Sequence, residues 1–444
     1  MNQLDLTTGS PLRRLLLFSL PLIGGSLFQQ LYNFIDTLIV GRLIGIDAVA
    51  AVGAYYPLSF LILGFVQGSC IGFSIPLSQS VGAKTATTRS YFTNGVWLTG
   101  GLCLLLTPLM ILGTNYFLQW LNTPNNILAM AETFTLISFI GIPANILFNY
   151  SAAALRAFGD AIHPLHFLVF SLIVNVVLDL LFICQFHLGI AGAAWATVIS
   201  EFIGGLLNLS RFFWGQNQLK LTSSDWRISW AKLKRMCAIG LPMGFEYSVS
   251  AIGAIIMQDA INQLGSAIMA AQSAADKIRQ LFTLPMESVG AAMATYQAQN
   301  FGARNRDRIK RGILNGCLIQ IIYSFGAFGI LWFSRRALVT AILGNGSPTT
   351  TASALQYLTI IAFFFPVHGL LMIFRNTIQG WGHSFYAIVS GFGELAGRLV
   401  ASLLALTPLG FVAICYANPL AWLISLIYCG FICRFISKRG LLKP

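Results

Sequence analysis

The chain has 444 residues, of which 56% are hydrophobic and only 9% are charged. A soluble globular protein carries about 25% charged residues, so the composition excludes a soluble fold and indicates a polytopic integral membrane protein. The formal net charge is +13, but the basic residues are concentrated between apolar runs. That distribution argues against a nucleic-acid partner.

Twelve apolar runs are each long enough to cross a bilayer, which requires about 20 residues. They lie at roughly 14–40, 50–78, 91–114, 127–150, 164–186, 190–214, 236–264, 268–300, 312–334, 352–378, 384–408 and 411–435. The eighth is interrupted by Asp276, Lys277, Arg279 and Glu287, and we expect the first three to mark an interfacial helix end. The sequence therefore predicts an all-α integral membrane protein with twelve transmembrane helices.

The positive charges predict which side of the membrane each connection faces. If the amino terminus is cytoplasmic, the cytoplasmic tails and connections, Arg375 included, hold all 27 Lys and Arg residues except six: Arg42, Lys277, Arg279, Arg335, Arg336 and Arg398. This positive-inside bias predicts that both termini are cytoplasmic. Arg335 and Arg336 break the rule, because they fall in an outer loop.

An internal repeat divides the chain. The polar stretch 215–235 separates six spans from six; "SLPL" at 19–22 recurs as "GLPM" at 240–243, and "SQSVGAK" at 78–84 recurs as "AQNFGAR" at 298–304. The offset stays between 220 and 223 residues. Because six spans are an even number, both halves share one orientation, and a pseudo-two-fold axis along the membrane normal relates them.

The repeat predicts an amino-terminal lobe at 1–214, a cytoplasmic linker at 215–235 and a carboxyl-terminal lobe at 236–444. Two such lobes can enclose a cavity and expose it to either side of the membrane in turn. The duplication therefore favours a secondary transporter that works by alternating access.

Several carboxylates fall inside predicted spans, where they are functional candidates by default. Asn175 and Asp179 are four residues apart and share one helix face, as do Thr197 and Glu201. We expect both pairs to meet Asp36 of the first span inside the amino-terminal lobe. Such a set could ligate a monovalent cation through oxygen atoms, or one carboxylate could bind and release a proton. Either use would couple an ion to transport.

The carboxyl-terminal half contains a second set of candidates. Glu394 and Arg398 are four apart with opposite charge, which predicts an internal ion pair, with a substrate contact as the alternative. Glu246 has no basic neighbour in the sequence and could recognise a cationic substrate or pair across the cavity. Tyr32 is an aromatic candidate, since aromatic faces attract organic cations.

The stretches "SLPLIGGSLFQQLYNFIDTLIVGRLIG", "SQSVGAK", "LRAFGDAIHP", "VNVVLDLLF" and "GIAGAAWATVIS" resemble the bacterial multidrug and toxic compound extrusion (MATE) family, over essentially the whole chain. The resemblance implies a non-enzymatic, cation-coupled antiporter without a cofactor, which exports amphipathic, often cationic compounds in exchange for sodium ions or protons. It implies a monomer in the bacterial cytoplasmic (inner) membrane, in contact with membrane lipids.

The resemblance also implies residue roles. The family's cation site, with Na⁺ as its possible metal ion, matches Asp36, Asn175, Asp179 and Thr197, while Glu201 stands where many relatives carry an uncharged residue. Some relatives use acids in the seventh and tenth spans; Glu246 fits the first, but 352–378 holds no acid. Pro21 lies in the same predicted helix as Asp36 and, lacking a backbone N–H, is a candidate bend that responds to ion occupancy.

Three other functions remain open at this point. A lipid-linked oligosaccharide or peptidoglycan-precursor flippase has a similar bundle, but it would need several basic residues in its cavity, and Arg398 is the only Lys or Arg predicted deep in a span. A membrane-embedded lipid-modifying enzyme would need a convergent catalytic set, which the sequence does not show. A passive channel has no need of two matched lobes.

Overall fold

A computed structural model describes residues 4–121, 123–214, 219–344 and 347–438, and over these ranges the regular elements are helices. The first seven helices are α1 (Pro11–Leu43), α2 (Ile46–Gly82), α3 (Thr88–Trp120), α4 (Asn125–Ile140), α5 (Ile142–Ala157), α6 (Ile162–Leu180) and α7 (Gly189–Phe213). The next seven are α8 (Trp230–Gln263), α9 (Ser266–Gly302), α10 (Arg306–Leu343), α11 (Pro348–Phe363), α12 (Phe365–Gly380), α13 (Ser384–Ala405) and α14 (Phe411–Lys438).

The two series repeat the same order of helix lengths, as an internal duplication requires. Each begins with three helices of 33 to 38 residues. A pair of 16-residue helices follows in each half. The pair α4 and α5 bends by 46°, and α11 and α12 bend by 50°. Each bent pair occupies one predicted span. The break within each pair occurs where Pro143 and Pro366 stand at the start of the second helix, because proline is tolerated there but cannot continue a preceding helix.

The observed helices account for the twelve predicted spans. Within the described ranges, nine helices are long and apolar enough to cross a membrane, and each bent pair adds one span. The remaining span is α9, whose charges weaken its apolar signal. Asp276 lies in the third turn of this 37-residue helix, so the expectation that it marks a helix end is wrong.

The described residues form two compact units. Unit 1 contains residues up to Asp5 and Gly24–Gly244, and unit 2 contains Leu6–Ile23 and residues from Phe245 onward. The chain thus passes from one unit to the other inside α1 and again inside α8. These bounds differ from the predicted lobe limits at 214 and 236, and residues 215–218 of the predicted linker lie outside the described residues. The lobe and linker bounds at 1–214, 215–235 and 236–444 stay a prediction.

In unit 2, Arg308 at the start of α10 fixes the segment that leads into α1. Its guanidinium donates to the backbone carbonyl oxygens of Leu6 (2.8 Å), Thr8 (3.1 Å) and Gly9 (2.6 Å). Asn300 adds a donor to the carbonyl oxygen of Leu6 at 3.1 Å. Hydrogen bonds from a charged donor are the stronger kind, so the beginning of α1 is anchored to α9 and α10.

Glycines allow α2 and α8 to approach closely within unit 1. A Cβ atom added at Gly72 would overlap the backbone of Gly240 and come within 3.0 Å of Met243 Sδ. Gly53, in the same helix α2, has open space around the corresponding position. The two glycines therefore give opposite expectations for the same substitution.

We expect Gly72→Ala to destabilise the protein by about 1–3 kcal/mol, because the added methyl group forces the two backbones apart. Gly53→Ala should be neutral or stabilise by up to about 1 kcal/mol, since alanine favours a helix interior and here meets no neighbour. Thermal unfolding of both variants in detergent checks this pair. Equal melting temperatures would show that the α2–α8 contact does not limit stability.

Candidate functional site

A cluster of polar side chains from α1, α6 and α7 forms the candidate site of unit 1. With the Asn175 amide oriented so that both of its polar atoms find partners, Nδ2 donates to Asp179 Oδ2 at 3.0 Å and Oδ1 accepts from the backbone N–H of Thr197 at 3.2 Å. The hydroxyl groups of Tyr32 and Thr197 are 3.0 Å apart. Asp36 and Asp179 are close enough to interact electrostatically. The structure therefore brings together four of the predicted cation-site residues, with Tyr32 as a fifth member.

The sequence of α6 explains why its polar groups point inward. Asn175 and Asp179 are 1% and 0% exposed, whereas Ile173 and Val177, on the other side of the helix, are more than half exposed and suited to lipid. A π-helical turn, Leu181–Gln185, follows immediately. Such turns occur frequently at functional sites, and here one begins two residues after the carboxylate.

One oxygen of each carboxylate is left without a partner. Asp36 Oδ1 and Asp179 Oδ1 are buried and accept no hydrogen bond from the residues that the structure describes. A buried unsatisfied polar atom is costly and calls for an explanation. Two neighbouring carboxylates with free oxygens are suited to hold a proton or a hard cation, together with the amide and hydroxyl oxygens beside them.

The donor set fits a monovalent ion better than a transition metal. Across the described ranges, no group of three or more His, Cys, Asp or Glu side chains is arranged to hold a metal ion. Two carboxylates with neutral oxygens match the mixed oxygen set expected for Na⁺. The alternative, a shared proton, needs only the carboxylates.

Glu201 lies beside this cluster but has its own hydrogen-bond partner. Both of its carboxylate oxygens lie 3.2 Å from Asn145 Nδ2 on α5, and Asn149 donates to Asn145 Oδ1 at 3.0 Å. Glu201 also interacts electrostatically with Tyr32. Its observed hydrogen-bond partner is therefore Asn145 and not a member of the cluster, and its predicted role in cation coupling stays a prediction.

Unit 2 contains a buried charge network that sequence reasoning only partly found. Arg375 Nε lies 3.0 Å from Glu246 Oε1, and its Nη1 lies 2.7 Å from Glu394 Oε1. Gln379, one turn further along α12, donates to Glu246 Oε2 at 2.8 Å. Arg375 was predicted to lie in a cytoplasmic connection; that prediction is wrong, because α12 continues past it and turns it toward the two acids.

Arg398 forms the predicted pair with Glu394, but the pair is long. Its Nη2 lies 3.7 Å from Glu394 Oε2, while its Nε donates to Asn418 Oδ1 at 3.2 Å and its Nη1 to the backbone carbonyl of Ser250 at 3.0 Å. The shorter contacts of Glu394 are with Arg375. Arg398 thus fixes α13 to α8 and α14 through neutral oxygens.

A third arginine, Arg279 on α9, forms a 2.8 Å bridge with Asp276. Tyr357 on α11 also donates to Asp276, at 2.8 Å, and Asn418 donates to the Tyr357 hydroxyl at 3.2 Å. Arg398 is therefore not alone among the basic residues inside spans, as sequence reasoning had it. Since each of the three arginines faces a carboxylate, the network carries no surplus of positive charge for a pyrophosphate group.

Pro21 lies inside α1, which is continuous from Pro11 to Leu43. Within this helix, the residues up to Ile23 belong to unit 2 and those from Gly24 onward belong to unit 1. The proline thus stands two residues before the point where the chain changes units, and Asp36 lies beyond that point. A bend linked to ion occupancy at this place stays a prediction.

Comparison with known proteins identifies the family. A family model described as MatE matches residues 21–181 and 242–395. YpnP of Bacillus subtilis, a probable multidrug resistance protein, is 29% identical over 390 residues, which cover 88% of this chain and 87% of that protein. A FAD transporter of Shewanella oneidensis is 22% identical over 442 residues, which cover 97% of this chain and 95% of that protein.

A solved structure has the same fold. The outward-facing conformation of a multidrug resistance MATE family transporter of the MOP superfamily matches with a TM-score of 0.91 at 19% identity, over 100% of this chain and 99% of that chain. Such structures have twelve transmembrane helices in two lobes, which confirms the predicted fold class. With the family model matched in both halves, the chain belongs to the MatE family, the multidrug and toxic compound extrusion transporters.

Proposed function

We propose that this protein is a secondary active efflux antiporter that exports amphipathic, cationic compounds in exchange for sodium ions or protons. The observation that carries the proposal is the pair of carboxylates, Asp36 and Asp179, whose buried Oδ1 atoms lack hydrogen-bond partners among the described residues. Family membership and relatives named as multidrug resistance proteins support the export of drugs.

The proposed coupling follows from the charge of this pair. With the ion bound, the site is less negative by one charge, so the two states differ in electrostatic free energy, as a two-state transporter requires. A monovalent ion moving down a concentration gradient equivalent to 100 mV supplies about 2.3 kcal/mol, which can sustain a solute gradient of about 50-fold. The proposal places the protein in the cytoplasmic membrane with both termini cytoplasmic.

In unit 2, we propose that the guanidinium of Arg375 acts as a permanently bound cation, which we call the resident cation. Its guanidinium lies within 3.0 Å of Glu246 and within 2.7 Å of Glu394, where a coupling ion or a cationic substrate would otherwise bind. Because this positive charge is covalently attached, these two acids do not need to exchange an ion. Coupling is therefore assigned to the carboxylates of unit 1.

The paired arginines also bear on the alternatives. A carrier of pyrophosphate-linked lipids, or of an anion such as the FAD carried by the Shewanella relative, needs positive charge free to meet its cargo. Arg279, Arg375 and Arg398 each lie within 4 Å of a carboxylate. A cationic cargo fits this balance better.

Dye transport in everted membrane vesicles tests the proposed function. Vesicles that contain the protein should accumulate ethidium when sodium, or acid, is higher inside than outside, and the two gradients should be imposed separately. Vesicles without the protein provide the baseline. If neither gradient moves the dye above that baseline, the antiport proposal is wrong.

Thr197→Val should affect the two coupling ions differently. Valine keeps the volume of threonine but removes an oxygen that a sodium ion could use, so the sodium concentration for half-maximal efflux should rise about tenfold, the effect of losing about 1.4 kcal/mol. Proton-driven efflux should be unchanged, because a proton is held on a carboxylate. Efflux measured at varied sodium concentration and fixed pH, and then at varied pH and fixed sodium concentration, checks both expectations. A loss of proton-driven efflux would show that Thr197 does not act only as a sodium ligand.

A further inference from the structure

The antiport proposal leaves one cavity of unit 2 unused. It lies between α10 and α11, with a volume of about 600 Å³. Its polar lining is provided by Arg335, Arg336, Gln356 and Thr359, and Trp332 and three aliphatic side chains complete its wall. The cavity thus combines two cations with an apolar surface, which is the chemistry of an amphipathic anion.

Helix geometry places the two cations at a membrane surface. Arg335 and Arg336 lie inside α10, so the prediction that they fall in an outer loop is wrong. Arg335 lies 29 residues after Arg306, the first residue of α10, and at 1.5 Å per residue this separation is about 44 Å. A bilayer with its headgroup layers is about 40–45 Å thick. The cluster of basic residues at 304–311 and the pair at 335–336 therefore lie in opposite headgroup layers.

The guanidinium groups at this cavity have no carboxylate partner among the described residues. Arg335 stacks on Trp332, with its Cζ atom 3.7 Å from the ring centroid. Its Nη1 atom is buried and has no hydrogen-bond partner within the described part of the chain. Over the same residues, neither Arg335 nor Arg336 lies within 4.0 Å of a carboxylate oxygen. This contrasts with Arg279, which is paired with Asp276.

An aromatic surface extends from the cations toward the hydrocarbon. Trp332 stacks on Phe328 at 5.7 Å, and Phe328 contacts Phe363 at 5.0 Å between ring centroids. Phe363 and the neighbouring Phe333 are exposed, as lipid-facing side chains of a spanning helix are. Tryptophan is enriched at the membrane–water interface, where its ring contacts hydrocarbon on one side and its N–H group can reach water or headgroups on the other.

We propose that this cavity binds an anionic phospholipid of the outer leaflet, with its phosphodiester on Arg335 and Arg336 and its acyl chain along Trp332. The leaflet follows from the predicted topology. The site explains why two arginines stand on the side that the positive-inside rule disfavours: they are kept for a lipid headgroup. The inference does not depend on the antiport proposal, because lipid binding is measured without transport.

Native mass spectrometry of the full chain, titrated with phosphatidylglycerol, tests the site. Each basic residue near an anionic lipid surface contributes about a fivefold change in affinity, so Arg335→Gln combined with Arg336→Gln should weaken phosphatidylglycerol binding about 25-fold. The matched control is Lys310→Gln with Arg311→Gln, two exposed cations at the opposite end of the same helix, and it should leave this tight binding unchanged. Trp332→Leu should weaken binding without any change in charge.

Competition separates a lipid from a soluble anion. Zwitterionic phosphatidylcholine should bind more weakly than phosphatidylglycerol, and inorganic phosphate at millimolar concentration should not displace the lipid. Equal phosphatidylglycerol binding by the arginine double variant and the wild type would overturn the proposal. Displacement by inorganic phosphate would overturn it as well, since the site would then serve a soluble anion. Unchanged melting temperatures in lipid-free detergent establish that the variants remain folded.

Discussion

Asp36→Asn and Asp179→Asn are each expected to abolish ion-coupled efflux while leaving the protein folded and inserted. Asparagine keeps the shape of the side chain but can neither bind a proton nor offer a charged ligand, so the site loses one of its two carboxylates and no longer holds the coupling ion. The dye gradient should fall from the level that the imposed sodium or acid gradient sustains to none. Ethidium accumulation in everted vesicles provides the measurement.

An aspartate-to-asparagine substitution outside the site controls for the loss of one negative charge. Asp47, in the first turn of α2, is exposed, and Asp47→Asn should transport like the wild type. Neither site variant should melt at a lower temperature, because removing a buried and unpaired charge relieves a desolvation cost. Full coupled activity in both Asp36→Asn and Asp179→Asn would contradict the assigned site.

Arg375→Gln is expected to make the stability of unit 2 depend on added cations. Without the guanidinium, Glu246 and Glu394, which are 6% and 4% exposed, lose their short cationic contacts. Breaking a buried ion pair by removing one partner costs about 3–5 kcal/mol. A sodium ion or a proton that binds only the folded protein should restore part of this loss by mass action. Melting temperatures measured across sodium concentration and pH check the expectation.

A second substitution separates this explanation from a simple loss of packing. Adding Glu246→Gln to Arg375→Gln removes one of the two acids that lost their short contact with Arg375, so the response of the melting temperature to sodium and to acid should shrink. The wild type should respond much less than Arg375→Gln. If Arg375→Gln is destabilised without any cation response, Arg375 is a structural tether and not a resident cation.

The polar face of α6 could be predicted from sequence because a single helix carries the signal. Asn175 and Asp179 are four residues apart in an otherwise apolar run, so helical periodicity alone places them on one face. A membrane environment then requires that face to turn away from lipid. The repeat likewise follows from similar stretches at an offset that stays between 220 and 223 residues.

The position of Arg375 could not be predicted by the same rule, because it stands near the end of an apolar run. Charge counting assigns such a residue to a connection, yet α12 begins only at Phe365, after the 50° bend, and continues to Gly380. The four-residue spacing of Arg375 and Gln379 could have indicated that both side chains share one face of a helix. Their partner Glu246 is more than 120 residues away in sequence, so only the fold could pair them.

The partner of Glu201 was hidden for a related reason. Asn145 lies on α5, just after the 46° bend that divides the fourth predicted span. Its direction depends on that bend, which a hydropathy pattern does not encode. Periodicity predicted which residues of α7 share a face, but the contact from α5 depends on tertiary packing.

Cation release from the purified protein tests the central claim most directly. A cationic dye is added to the wild type in weakly buffered, low-sodium detergent solution, and the sodium ions and protons released are measured with ion-selective electrodes. Because antiport requires that cargo and ion bind in alternation, the wild type should release about one cation per dye bound, and Asp36→Asn and Asp179→Asn should release none. Undiminished release from both variants would contradict the claim that these carboxylates hold the coupling ion.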